Sequence, residues 1–189
     1  LAKFRQADEM IARVISDPLM VDYLSGEKQV VMVADLFGLP WKAKLDVYNE
    51  QRIVDLKTVR DFEDVYDKGY GWRSWIEYWG YDIQAACYQE IVFQNIGKRL
   101  PFYFVVATKE KPAHLAVGQI SHWNMDEAME IVRANIANFQ KVKAGEIEAE
   151  RCEDYGCDYC TSTKIITEAI DTDLFGMSAA QIRGMRGEL

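Results

Sequence analysis

The chain has 189 residues, 49% of them hydrophobic, four cysteines and a formal net charge of −8. This is enough apolar material for one core, and no apolar run approaches the roughly 18 residues of a membrane-spanning helix, so a soluble protein without a membrane partner is expected. The net acidity excludes a generally basic, phosphate-seeking surface, because non-specific DNA affinity comes mainly from Lys and Arg.

The chain opens at Leu1 with neither an initiator Met nor a basic-then-apolar leader, the pattern of a trimmed or partial product. Phe4, Ala7, Ile11, Val14 and Ile15 share one face of a helix predicted over Ala2 to Ile15, and Asp17-Pro18 stops it. From Lys28 the period changes. Val30 to Val33, Trp41 to Tyr48 and Arg52 to Thr58 read as strands, with Gly38-Leu39-Pro40 as a turn between the first two. Arg60 to Gly80 is acidic and aromatic and reads as a short helix plus a long loop. Tyr81 to Ile96 has helical spacing and Gly97 to end it. Pro101 to Thr108 and Ala113 to Ile120 are two more strands, joined through Lys109 to Pro112. A long helix follows, capped by Asn124, in which Met125, Met129, Val132, Ile136 and Phe139 form a packing stripe. The segment from Glu146 to Asp173 holds nine acidic and two basic residues, so it carries −7 of the net −8. The expectation is an α/β or α+β fold with a central mixed sheet flanked by helices. It forms a single domain over 1–189, in which 146–189 is an acidic, cysteine-containing segment.

Two strands carry the chemistry. Trp41, Ala43, Leu45 and Val47 alternate with Lys42, Lys44, Asp46 and Tyr48, while Asp55 and Lys57 share one face of the next strand. If Glu50-Gln51 is a two-residue turn, Asn49 pairs with Arg52 and Asp46 falls opposite Asp55, with Cβ atoms about 5 Å apart. Facing carboxylates repel, and a hard cation such as Mg²⁺ offsets the repulsion while leaving positions for water and a phosphate oxygen. Lys57 would then orient that water or neutralise developing charge. The plainer reading makes Asp46 and Lys57 a solvated cross-strand ion pair; spacing alone leaves both open.

The run Gly38-Leu39-Pro40-Trp41-Lys42-Ala43-Lys44-Leu45-Asp46, followed by Ile53-Val54-Asp55-Leu56-Lys57-Thr58, resembles the core of RecB- and RecE-type PD-(D/E)XK nucleases, especially exonuclease VIII-like phage proteins. Tyr81-Asp82-Ile83-Gln84-Ala85-Ala86-Cys87-Tyr88 is similar to that group's Q-x-x-x-Y motif. The resemblance implies a restriction-endonuclease-like αβββαβ core and Mg²⁺-dependent hydrolysis of DNA, with Mn²⁺ able to substitute. The implied substrate is a double-strand end, resected 5′ to 3′ for recombination beside a single-strand annealing protein. By carry-over, Asp46, Asp55 and the backbone carbonyl of Leu56 are metal ligands and Lys57 is the catalytic lysine. Gln84 and Tyr88, one helical turn apart, would contact DNA or support the site; a buried Tyr with a hydrogen-bonding Gln neighbour is the alternative. Relatives supply a further His or Glu ligand from upstream, for which Glu27 and Glu9 are the candidates here. Ring-shaped homo-oligomers occur among related processive enzymes, and a cytoplasmic location is expected.

Cys152, Cys157 and Cys160 form C-x₄-C-x₂-C, a spacing that can seed a zinc or iron–sulfur site. The only other cysteine, Cys87, sits mid-helix, and plain reduced thiols are the favoured reading. Trp72, Trp75 and Trp79 either stack on bases or pack a loop, and Arg73 is the candidate phosphate contact among them. His114 and His122 read as ordinary sheet-edge residues. The rival functions are an iron–sulfur nuclease of the Cas4 or AddB type and an inactive DNA- or partner-binding domain of the same fold.

Overall fold

In a computed structural model, residues 2–67, 70–149, 158–167, 169–177 and 179–186 are described. The chain divides into two compact units, 1–137 and 138–189, and the boundary falls inside the long helix rather than at Glu146.

The first unit opens with helices α1 (Ala2–Ile15) and α2 (Pro18–Tyr23). Asp17 ends one and caps the other: its carboxylate accepts from the N–H groups of Leu19 and Met20, and Pro18 supplies a first position that needs no N–H. Strands β1 (Glu27–Leu36), β2 (Leu39–Asn49) and β3 (Arg52–Val59) form an antiparallel meander. After β3 come a hairpin, β4 (Val65–Asp67) and β5 (Gly71–Arg73), and a single helical turn, α3 (Trp75–Tyr78). Helix α4 (Tyr81–Ile96) then crosses the sheet and returns the chain to β6 (Phe102–Thr108), parallel to β3, as a parallel neighbour requires. Strand β7 (Leu115–Gln119) pairs antiparallel with β6, giving the sheet order β1-β2-β3-β6-β7. Helix α5 (His122–Ala144) follows.

The mixed sheet is covered on both faces. On one side α4 lays Ala85, Ala86, Ile91 and Val92 on Ala43, Leu45, Ile53, Phe102 and Phe104, and Met125 and Ala128 of α5 join them. On the other, Met20 of α2 meets Val47, Val54 and Val105. Arg52 ties α2 to β3 through an ion pair to Asp22 at 2.9 Å and by lying over the Tyr23 ring at 4.2 Å.

Four expectations are corrected. The stretch Arg60 to Gly80 holds a β-hairpin as well as a helical turn, because its aromatic residues pair across it, Tyr66 against Trp72 at 5.5 Å. Asn124 is not the cap of α5. Ser121 is, its hydroxyl accepting from the Asn124 N–H at 3.1 Å. The α5 stripe packs only as far as Val132, and Phe139 is exposed. Of the apolar face of α1, Val14 packs while Phe4, Ile11 and Ile15 are exposed.

In the second unit α6 (Asp158–Ser162) and α7 (Ala179–Arg186) flank a 3₁₀ turn, Thr172–Leu174. Cys160 is buried, whereas Cys152 and Cys157 lie outside the described residues. No helix among the described residues is long and apolar enough to cross a membrane.

Two features shape β1. At its entry Gly26 has φ +133°, and a Cβ there would lie 2.6 Å from the Tyr48 carbonyl oxygen. Along its outer edge, side chains from the end of α4 take two carbonyls: Asn95 donates to Val33 at 3.0 Å and Gln94 to Asp35 at 2.9 Å. Gly26→Ala is expected to destabilise the fold by more than about 1 kcal/mol, through both the backbone conformation and the clash. Chemical denaturation of variant and parent measures it.

Candidate active site

The register of β2 and β3 follows from their turn. Asn49 pairs with Arg52, and its side-chain oxygen accepts from the N–H groups of Gln51 and Arg52, an Asx turn that locks the hairpin. The ladder runs through Tyr48–Ile53 to Val47–Val54 and stops there. Asp46 and Asp55 are the next residues, as expected from the turn, but they sit where the strands part instead of forming a backbone pair. The Leu56 N–H turns to the Asp46 carboxylate, donating to Oδ2 at 3.0 Å.

On its other side Asp46 meets Gln29, the residue at which the β1–β2 register skips a pair. Gln29 has φ +56°, a left-handed conformation rare for a residue with a side chain. Its amide donates to Asp46 Oδ1 at 3.0 Å. The alternation of β2 also inverts at this point. Ala43 and Leu45 face the main core, Val47 faces the second core, and Tyr48 returns to the main core. The regular alternation expected through Tyr48 therefore holds only to Leu45.

Asp55 and Lys57 lie on the α4 face of β3 and are covered by that helix. Gln84 bridges them: its amide nitrogen donates to Asp55 Oδ1 at 2.8 Å, and its oxygen accepts from Lys57 Nζ at 2.7 Å. The two charged partners fix which way the amide points. Lys57 Nζ also lies 2.7 Å from Asp55 Oδ2 and 4.2 Å from the centre of the Tyr81 ring. The ammonium is thus the charged neighbour of this buried oxygen.

Asp55 is only 4% exposed. Burial raises its pKa above the ordinary 3.8, and the negative charge of Asp46 adds to that, against the opposing pull of Lys57 and Gln84. Two neighbouring carboxylates, one of them buried, fit a hard divalent cation. Asp46 and Asp55 would hold it. The Leu56 carbonyl lies on the same edge of its extended strand as the N–H that reaches Asp46, which suits it as a third oxygen donor.

Other expected site residues lie apart from this cluster. Tyr88 packs on the main core. Arg73, on β5, is 3.9 Å from Glu77 and lies over the Tyr70 ring. Glu27 begins β1 opposite Tyr48 and is exposed, and Glu9 pairs with Lys111 at 3.5 Å. Among the described residues, no third His, Cys, Asp or Glu joins the two aspartates in a metal-binding group. Cys87 is buried in the main core, which pushes its thiol up to about 11 and makes it an unreactive packing residue. His114 and His122 are exposed, beside β7 and at the start of α5.

Two participants escaped the sequence reading. Nothing in the sequence marks Gln29, because its role comes from a backbone conformation. Tyr81 could have been found: it precedes Gln84 by three positions and so shares its helix face.

No curated protein matches this chain. A crystal structure from Eubacterium rectale, described as a "Putative exonuclease", is 39% identical, with a TM-score of 0.84, over 94% of this chain and 67% of that one. A family model described as a PDDEXK-like domain of unknown function (DUF3799) matches residues 1–163. The chain thus belongs to this PDDEXK-like family and has the fold of the PD-(D/E)XK nucleases.

Proposed function

We propose that this protein is a divalent-cation-dependent DNA exonuclease that hydrolyses phosphodiester bonds at double-strand ends. The observation that carries the proposal is the buried Asp55 carboxylate, ion-paired with Lys57 at 2.7 Å and close enough to Asp46 for that second negative charge to raise its pKa. Two neighbouring carboxylates that share one lysine leave negative charge for a cation to offset, and Gln84 takes part of the hydrogen bonding of that ammonium.

Mg²⁺, with Mn²⁺ as a substitute, would supply charge to the phosphate and lower the pKa of a bound water. Asp46 and Asp55 hold and orient that charge. Lys57, held by Asp55 and over the Tyr81 ring, places an ammonium beside the attacked phosphate, where negative charge grows. Gln84 fixes the ammonium and the carboxylate relative to each other, so the geometry is set before substrate arrives. Resection for recombination is the role that fits such an activity, and the neighbour's description as an exonuclease supports the choice of strand ends.

Three outcomes test this reading. Linear duplex DNA is degraded in Mg²⁺, and Asp55→Ala or Lys57→Ala lowers the rate by about 10²–10³-fold while circular dichroism stays unchanged; equal rates in parent and variants refute it. Gln84→Leu keeps the bulk but loses both hydrogen bonds, and is expected to lower kcat by at least about tenfold with a smaller effect on KM.

The third outcome concerns pH. Because Asp55 has a raised pKa in the folded state, its contribution to stability is present below the ordinary 3.8 and is lost as pH rises through the folded value. Ionised Asp55 binds cation better. The rise in Tm on adding Mg²⁺ or Mn²⁺ therefore grows with pH over the acid range above 3.8 and is absent in Asp55→Asn, as differential scanning fluorimetry will read.

A further inference from the structure

The aromatic residues around the site divide into those that pack and one that does not. Trp75 meets Tyr81 at 5.8 Å and Phe104 at 6.4 Å, edge to face, and is tied to the core by both. Trp79 is 62% exposed and touches Tyr78 edge to face at 4.9 Å, which leaves indole surface open. Trp75, Tyr78, Trp79 and Tyr81 line a cavity of about 360 Å³ together with Arg60 and Lys109. Its floor is Thr58 and Val59, directly after Lys57 on β3. One ring belongs to both places: Tyr81 lines the cavity and carries Lys57 Nζ over its face.

We propose that this cavity is a nucleobase pocket that takes the unpaired terminal base of a DNA strand and so brings the adjoining phosphodiester to Lys57. The choice of DNA as ligand rests on the nuclease reading above. The pocket's chemistry rests on its own residues. The volume is at the small end of the roughly 300–1,000 Å³ of ligand sites, with room for one base and its sugar. Aromatic faces stack on any base, so the pocket would select an end without selecting a sequence. Lys109 and the exposed Arg60 stand at the pocket for the backbone of the same strand. Asp61 is already engaged with Arg60 at 2.5 Å, which limits its repulsion of a phosphate, while Glu63 sets a bound on the net attraction.

The pocket also gives Tyr81 a second role. A base stacked in the pocket would bear on Tyr81, the ring over which the Lys57 ammonium sits. Occupancy by a frayed end would thereby be read at Lys57, and an internal duplex segment, with its bases stacked and paired, would not enter.

The test uses binding without hydrolysis. In EDTA, the whole protein is titrated into short single-stranded oligonucleotides carrying 2-aminopurine at the 5′ end, at the 3′ end or in the interior. Stacking in the pocket should quench the probe at one end and leave the interior probe unchanged. Trp79→Ala, an exposed substitution whose folding is checked by thermal melting, should weaken binding about tenfold and remove the quench. Trp79→Phe should restore most of both. Binding and quenching in Trp79→Ala equal to the parent, or equal quenching at interior and terminal positions, overturns the pocket. Mg²⁺-dependent degradation of linear duplex is read separately. Its absence with a Trp79-dependent terminal quench refutes the nuclease reading and leaves the pocket, whereas its presence with an unaltered quench refutes the pocket alone.

Discussion

The whole arrangement depends on two strands that separate at the right place. If β2 and β3 stayed paired beyond Val47 and Val54, the Leu56 N–H would belong to the sheet and Asp46 would face a closed ladder. The opening frees backbone groups that must find other partners, and the Asp46 carboxylate takes one of them. A carboxylate that satisfies a strand edge is thereby pinned with little freedom, which is what a cation ligand needs.

Burial then sets the electrostatics. Asp55 lies under α4, where charge is costly, and three groups share the task of keeping it there: Lys57, Gln84 and, through Lys57, the Tyr81 ring. All of them come from two elements, β3 and the first turns of α4, so the crossover that makes β6 parallel to β3 also delivers the polar lid of the site. Fold and chemistry share one connection.

Much of this was legible before any coordinates. The helix from Tyr81 to Ile96 and its Gly97 terminus came from spacing and backbone chemistry, and both are as expected, with Gly97 at φ +72°. The Asn49–Arg52 register, and with it the juxtaposition of Asp46 and Asp55, followed from a two-residue turn. Gln84 was picked from a motif, and its contacts with Asp55 and Lys57 give it a position beside them. What stayed hidden was set by tertiary context. The inversion of β2 at Asp46 coincides with a left-handed Gln29 across from it, and no periodicity announces either. The β4–β5 hairpin is held by Tyr66 and Trp72 across strands of three residues each, too short to show an alternation. The upstream third ligand depends on where side chains end up: Glu9 is paired with Lys111, and Glu27 is exposed at the start of β1.

The outer strand has a consequence of its own. A ten-residue edge with Val31 and Val33 more than half exposed is a natural template on which a foreign chain could assemble as a further strand, the first step toward aggregation. Asn95 and Gln94 occupy carbonyls along that edge from the end of the neighbouring helix. These two amides therefore guard against self-association along the flank as well as packing α4 on the sheet.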